Sequence, residues 1–263
     1  MVLLVHGGPL TSLGFVRVVR ALREHHRVIA PDLPGFGQSR ADVSFAGSLA
    51  DYARSIREFC SGLKLDRVVL FGCDAGACVG LAAAAKMAPA IAGLVIADTV
   101  PFPLNGRAWL VKAVLRYVVS SYVFRFLNRR FNLLPWLVAT IDPLRRPFSA
   151  HERAVLTGQY DSREKRDRIL DVFSAMARDD RFMCETAGDV ARYLRDKPAL
   201  LLFGQMDPVR FVGGISRFRR MFPRSTVAIV PKERHFPILA EGEAVAAMML
   251  SWMRTLEPQV VPE

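Results

Sequence analysis

Asp74 stands at the centre of Gly72-Cys73-Asp74-Ala75-Gly76-Ala77, after the apolar run Val68-Val69-Leu70-Phe71 and before the alanine-rich run Cys78 to Ala85. Small residues at 72, 76 and 77 let a strand turn sharply into a helix, which holds the apex side chain exposed. A carboxylate there is a nucleophile suited to a saturated carbon, such as an epoxide carbon or one bearing a halide, and its product is an alkyl-enzyme ester. An ordinary ester suits it poorly, because the resulting anhydride is no easier to make than the substrate. Cys73 fails as the apex, since Phe71 would then fill a small position, and it reads as a buried, inert thiol.

Hydrolysis of an alkyl-enzyme ester needs a base for water and an acid that orients the base. His235 lies in Glu233-Arg234-His235-Phe236-Pro237, between the last predicted strand and the last predicted helix. Asp207 lies in Gly204-Gln205-Met206-Asp207-Pro208, directly after the apolar run Leu200 to Phe203. Asp98, which closes the run Ile91 to Asp98, is the alternative acid. The main-chain N–H groups of Gly8 and Ala75 are the expected oxyanion hole. Retention of Asp74, Asp207 and His235 together argues for an enzyme. The reading of another class is a catalytically silent chain that binds a hydrophobic ligand or a membrane surface.

The elements that must position these groups follow from periodicity. Val2 to Val5, Arg27 to Ala30, Val68 to Phe71, Ile91 to Asp98, Pro198 to Gly204 and Thr226 to Val230 are short strand-like runs. Helical patterns over Leu13 to His25, Ser48 to Gly62, Gly214 to Met221 and Glu241 to Leu256 alternate with them. Apolar strands alternating with helices predict a mostly parallel sheet covered on both faces. From Pro101 to about Asp196 no strand-like run occurs, and Asn105 to Asp142 is rich in helix formers and large apolar residues. Ser149-Ala150-His151-Glu152 and Asp161-Ser162-Arg163-Glu164 are capping-box patterns that open further helices. The expected organisation is an α/β main domain over residues 1–100 and 197–263, with an all-helical cap over 101–196.

This arrangement resembles the α/β-hydrolase fold with a helical cap inserted after the sheet's sixth strand, and the resemblance covers essentially the whole chain. His6-Gly7-Gly8-Pro9 resembles the oxyanion-loop motif, Gly35-Phe36-Gly37-Gln38-Ser39 the glycine turn after the next strand, and Gly72 to Ala77 the nucleophile elbow. The three together are similar to the epoxide hydrolase and haloalkane dehalogenase-like branch. That branch implies Asp74 as nucleophile, His235 as base and Asp207 as acid, with His6 structural; an Asp in place of the fold's usual Ser is also compatible with a dead site. Family members carry two further strands before the oxyanion-loop strand. The sheet is therefore expected to lack them and to end at the strand around Val28 and Ile29, unless the start codon is assigned too late.

The resemblance also frames the leaving group. Ring opening of an epoxide needs a proton donor, which relatives supply from cap tyrosines, and Tyr117, Tyr122 and Tyr160 fall in the inserted segment. Halide release needs N–H donors, usually a Trp after the nucleophile with an Asn or Trp elsewhere; here Ala75 and Gly8 stand at those places. Trp109 and Trp136 in the cap are the available substitutes. Epoxide ring opening of a lipophilic substrate is the favoured reaction. Haloalkane dehalogenation or β-lactone processing is the alternative.

At 263 residues with 51% hydrophobic and 23% charged, the chain suits one large core, or a core with a subdomain. Four cysteines without metal-site or disulfide-framework spacing, and an N-terminus unlike a signal peptide, point to the cytoplasm. No cofactor or metal is implied. The net charge of +11 and pI near 10.1 come with no nucleic-acid recognition motif, so no nucleic acid is expected. Ala108 to Val119 and Tyr122 to Phe131 mix large apolar residues with cations. Such segments either lie in an anionic membrane interface or pack on the main domain and line an apolar pocket. Either implies a small lipophilic substrate.

Overall fold

The computed structural model describes residues 1–100, 102–140 and 148–256; Pro101 and Asp142, which bound predicted cap segments, lie outside the described residues. Strand β1 (Val2–Val5) is followed by a 3-10 turn over Ser12–Phe15, helix α1 (Val16–Leu22) and the short β2 (Val28–Ile29). Helix α2 (Leu49–Gly62) opens with a capping box in which Ser48 and Asp51 satisfy each other's backbone N–H. Then come β3 (Val68–Cys73), α3 (Ala75–Lys86) and β4 (Ile91–Ala97). Every strand pair is parallel, and the order β2-β1-β3-β4-β5-β6 leaves β2 at one edge, as the sequence predicts.

Between β4 and β5 every described element is helical. Helix α4 (Trp109–Ala113) runs into a π-helical segment, Val114–Val119, and α5 (Tyr122–Phe131), α6 (Leu133–Thr140), α7 (Ala150–Thr157), α8 (Arg163–Arg178) and α9 (Asp180–Tyr193) follow. The Ser149–Glu152 capping box forms as predicted. The second predicted box does not. Ser162 caps α8 and accepts from the Lys165 N–H, so the helix starts one residue later and Glu164 misses the reciprocal position. Strand β5 (Ala199–Gly204), α10 (Pro208–Phe211), α11 (Gly214–Met221) and β6 (Ser225–Val230) resume the alternation. The predicted last helix is α13 (Gly242–Arg254), and a short helix that was not predicted, α12 (Pro237–Ala240), precedes it.

The core has two halves, one on each face of the sheet. On one face α2, α3 and the inner sides of the helical insert pack on Leu3, Val5, Leu70 and Leu94, and on the other α1 and α13 cover Val2, Leu4, Phe71 and Val95. All six residues of β3 are buried, and α3 behind it stays buried from Ala75 to Ala85. A fully buried helix can be apolar all round, which explains the run of alanines: small side chains let α3 approach the sheet closely.

Candidate active site

The turn from β3 to α3 forces Asp74 into a strained backbone conformation, φ 48° and ψ −128°. The strain is held from several sides. Asp74 N–H donates to the Ala97 carbonyl at 3.2 Å, and the Thr99 hydroxyl donates to the Asp74 carbonyl at 2.8 Å. A Cβ at Gly76 would fall 2.2 Å from the His6 carbonyl oxygen, so only glycine lets α3 start this close to the loop after β1. His6 anchors that loop: its Nε2 accepts from Leu33 N–H at 2.9 Å, and burial pulls its pKa down to about 4, so the ring stays neutral. The loop delivers the Gly8 N–H to the Asp74 carboxylate, where the Ala75 N–H joins it; both lower the Asp74 pKa.

His235 is placed by a loop crossing the end of β5. A Cβ at Gly204 would lie 2.0 Å from the Arg234 carbonyl oxygen, and Met206 N–H binds the Glu233 carbonyl at 2.7 Å. The same crossing brings Asp207 under the imidazole. Its Oδ1 and Oδ2 lie 3.2 and 3.3 Å from His235 Nδ1, and Oδ1 also accepts from Val209 N–H at 2.9 Å. At the ring's far end Nε2 is 4.0 Å from Asp74 Oδ1. The structure thus brings Asp74, His235 and Asp207 into one line.

Asp98 reaches the same place from β4. It is fully buried, its Oδ1 accepts from Gly204 N–H at 3.1 Å, and it joins Asp207 and His235 in a cluster whose polar atoms lie within 4.8 Å of one another. That spacing could hold a cation, but His235 Nδ1 and Asp207 are already bonded to each other, so the set is built to hold protons. Burial and the Asp207 charge push the Asp98 carboxyl well above its ordinary range. Burial alone would also raise Asp207, but the charge and hydrogen bond of His235 outweigh it and bring the carboxyl below its usual value. Burial pulls the His235 pKa down, yet Asp207, then Asp74 and Asp98, more than reverse this and lift it to about 9. Burial raises Asp74 to about 6 against the pull of His235.

Beside this line opens a cavity of about 380 Å³ with an apolar lining: Val114, Leu115 and Val119 from the π segment and α4's extension, Leu134 and Val138 from α6, and Phe173 from α8. Arg234 also lines it, and neither Trp nor Asn is among its lining residues. Tyr117 and Tyr122 are 72% and 81% exposed and are not among its lining residues. Tyr160 is buried, its hydroxyl has no hydrogen-bond partner among the described residues, and burial with the Asp74 charge keeps its phenol protonated. Tyr52, on α2, is its electrostatic neighbour and lines a small crevice with Gly8 and Ala75. The sequence hides Tyr52, because its helical spacing with Ile56 and Phe59 is that of a core residue.

A family model described as alpha/beta hydrolase fold matches residues 1–241. The chain belongs to the α/β-hydrolase fold family. Among curated relatives of this α/β hydrolase is haloalkane dehalogenase 2 of Mycobacterium tuberculosis, 31% identical over 95% of this chain and 86% of that protein. Among solved structures, a haloalkane dehalogenase from Bradyrhizobium elkani superposes with a TM-score of 0.79 at 19% identity, over 97% of this chain and 91% of that one. An epoxide hydrolase does so with a TM-score of 0.79 at 20% identity, over 97% and 92%. At these identities the solved structures bear on the fold alone, and the hydrolase is dehalogenase-like by sequence.

Proposed function

We propose that this α/β hydrolase works through Asp74 as nucleophile and an alkyl-enzyme ester, on a small lipophilic substrate. The observation that carries the reading is the Asp74 carboxylate at a strained elbow, beside the Gly8 and Ala75 N–H groups and 4.0 Å from a histidine backed by Asp207. A carboxylate oxygen of Asp74 attacks a saturated carbon, the carbon–leaving-group bond breaks, and a neutral ester forms. Loss of the Asp74 charge removes one of the influences that hold His235 protonated, so the ring gives its proton up to solvent and can then act as base. A water between Nε2 and the ester attacks Asp74 Cγ and gives its proton to Nε2. The tetrahedral oxyanion sits on the two N–H groups, and its collapse breaks the bond to the alkyl oxygen, which takes the proton back from Nε2 and leaves as the alcohol.

Opening of an epoxide is the favoured first step. Among the described residues the cavity lining holds no Trp or Asn side chain to receive a halide. Tyr160, which lies behind the lining, offers a protonated hydroxyl without a hydrogen-bond partner among the described residues and close enough to Asp74 to feel its charge. A second reading, haloalkane dehalogenation, is favoured by the 31% identical dehalogenase; there Arg234 would meet the departing halide. Single-turnover hydrolysis in ¹⁸O-water, followed by mass spectrometry of the Asp74 peptide, tests the shared mechanism. Label in Asp74 is expected, and an active substrate that leaves Asp74 unlabelled overturns it. A panel of epoxides, haloalkanes and β-lactones assigns the leaving group.

A further inference from the structure

The helical insert presents two faces of opposite use. One packs inward: Phe124 rests on the core, and Asn128 is buried, donating to the Arg166 carbonyl at 2.7 Å. Of the eighteen exposed large apolar side chains among the described residues, ten fall within residues 109–136, and all of these but Val114 lie outside the cavity lining. Trp109, Tyr117, Tyr122, Phe126, Phe131 and Trp136 are each at least half exposed. Four of these are among the eight Trp and Tyr residues of the whole chain. Scattered exposed apolar residues are ordinary, but a concentration of aromatic ones marks a binding face.

Charge says what the face would meet. From Thr99 to Ile141 the sequence contains six Arg and Lys residues and no acidic residue. Three of the cations are neutralised inward by the helices behind: Lys112 pairs with Asp180, Arg125 with Asp171 and Arg129 with Asp167. Arg107, Arg116 and Arg130 have no ion pair among the described residues and accompany the aromatic face. At the root of α4, Arg107, Arg217 and Arg220 line a cavity of about 480 Å³ with no Asp or Glu among its described lining residues. Aromatic side chains with indole or phenol groups, mixed with unpaired cations, suit the boundary between anionic headgroups and acyl chains. A protein partner's apolar surface would not require this cationic rim. Among the described residues no helix is long and apolar enough to cross a membrane, so contact would be peripheral.

We infer that the outer face of α4 to α6 docks on an anionic membrane surface, with its aromatic side chains in the interface and Arg107, Arg116 and Arg130 at the headgroups. The π segment and α6 contribute to both sides, Tyr117 and Trp136 outward and Val119 and Leu134 to the cavity, so docking would set the cavity's walls against the lipid phase. The inference does not depend on which reaction Asp74 performs.

Sedimentation of the full-length protein with vesicles tests it. Pelleting is expected with phosphatidylglycerol-containing vesicles, not with phosphatidylcholine alone, and is reversed by high salt. The triple variant Arg107→Ser, Arg116→Ser, Arg130→Ser is expected to lower partitioning by about tenfold or more. A control, Arg20→Ser, Arg27→Ser, Arg57→Ser, removes the same charge elsewhere and leaves partitioning within about twofold of the parent. Brominated lipid is expected to quench Trp109 and Trp136, whereas Trp252 is buried. Absence of binding to anionic vesicles, or equal loss in the control, overturns the proposal. So does burial of Tyr122 and Phe126 in a dimer that forms instead of vesicle binding, seen by sedimentation velocity of the parent and the Tyr122→Ser, Phe126→Ser variant.

Discussion

Asp98 and Asp207 leave the C-terminal ends of adjacent parallel strands, β4 and β5, and meet beneath the same imidazole. Two carboxylates so near each other in a buried site cannot both carry charge comfortably, and the pair divides its protons unequally. Asp207, bonded to His235 and to Val209 N–H, keeps its charge; Asp98, against Gly204 N–H, keeps its proton. Asp207 therefore bonds His235 directly, whereas Asp98 weighs on the imidazole through its charged form, which burial disfavours.

That division separates their variants. Asp207→Asn removes the charge that fixes the imidazole and should lower kcat by roughly 10²- to 10⁴-fold, by comparison with other buried triad acids. Asp98→Asn replaces a neutral acid with a neutral amide that can still accept from Gly204 N–H, so kcat should fall less than about tenfold. Steady-state kinetics on a substrate found in the panel decides it. Equal losses in the two variants would make Asp98 the orienting acid.

The pH dependence follows from Asp74 at about 6 and His235 at about 9. Attack needs the Asp74 carboxylate, so the burst of alkyl-enzyme should weaken as pH falls through about 6. His235 holds the Asp74 pKa down, and His235→Gln should therefore move this limb to higher pH while stopping hydrolysis, so that the ester accumulates in the intact mass spectrum. Stability has its own sign. Both native pKa values are raised, so each group's contribution is present below its unfolded value and is lost as pH rises, through about 6 for Asp74 and about 9 for His235. A melting temperature that rose steadily from pH 5 to pH 10 would contradict these assignments.

Tyr160 gives a prediction that separates leaving groups. Its hydroxyl makes no hydrogen bond to the described residues, so Tyr160→Phe should leave stability unchanged or slightly higher. If the phenol protonates an opening ring, the variant loses about 10²-fold in kcat on epoxides and little on haloalkanes, since a halide departs without a proton. Tyr117→Phe and Tyr122→Phe, both on the exposed face, should alter neither rate. Parallel assays of the three variants on both substrate classes check this.

The elbow was legible in the sequence because backbone sterics dictate it: where two main chains nearly touch, only Gly or Ala survives, and the pattern fixes Asp74 at the apex. His235 and Asp207 were legible by their places after strands. The outward facing of Tyr117 was not, because Val114–Val119 winds as a π-helix and breaks the 3.6-residue period from which facing is counted. Tyr52 was hidden by a helical spacing indistinguishable from core packing. The proton division between Asp98 and Asp207 depends on which carboxylate finds N–H donors, and residue order carries no trace of that.

The closest backbone approach yields the last prediction. At Gly76 an added Cβ meets the His6 carbonyl oxygen at 2.2 Å and the Val5 carbonyl oxygen at 2.6 Å, both main-chain atoms of the neighbouring strand end and loop. Neither can swing aside as a side-chain tip can, so Gly76→Ala must separate α3 from the β1 loop. The loss should reach about 3 kcal/mol or more, at the upper end of overpacking changes, and should displace the Gly8 N–H from Asp74 in whatever remains folded. Gly188→Ala is the matched opposite. It sits in α9 with nothing within 4 Å of the new Cβ, so it should add about 0.4–1 kcal/mol by restricting the unfolded chain. Urea titrations of both variants measure the difference. Gly76→Ala with a midpoint near the parent's would mean that the elbow tolerates a side chain where the structure leaves it no room.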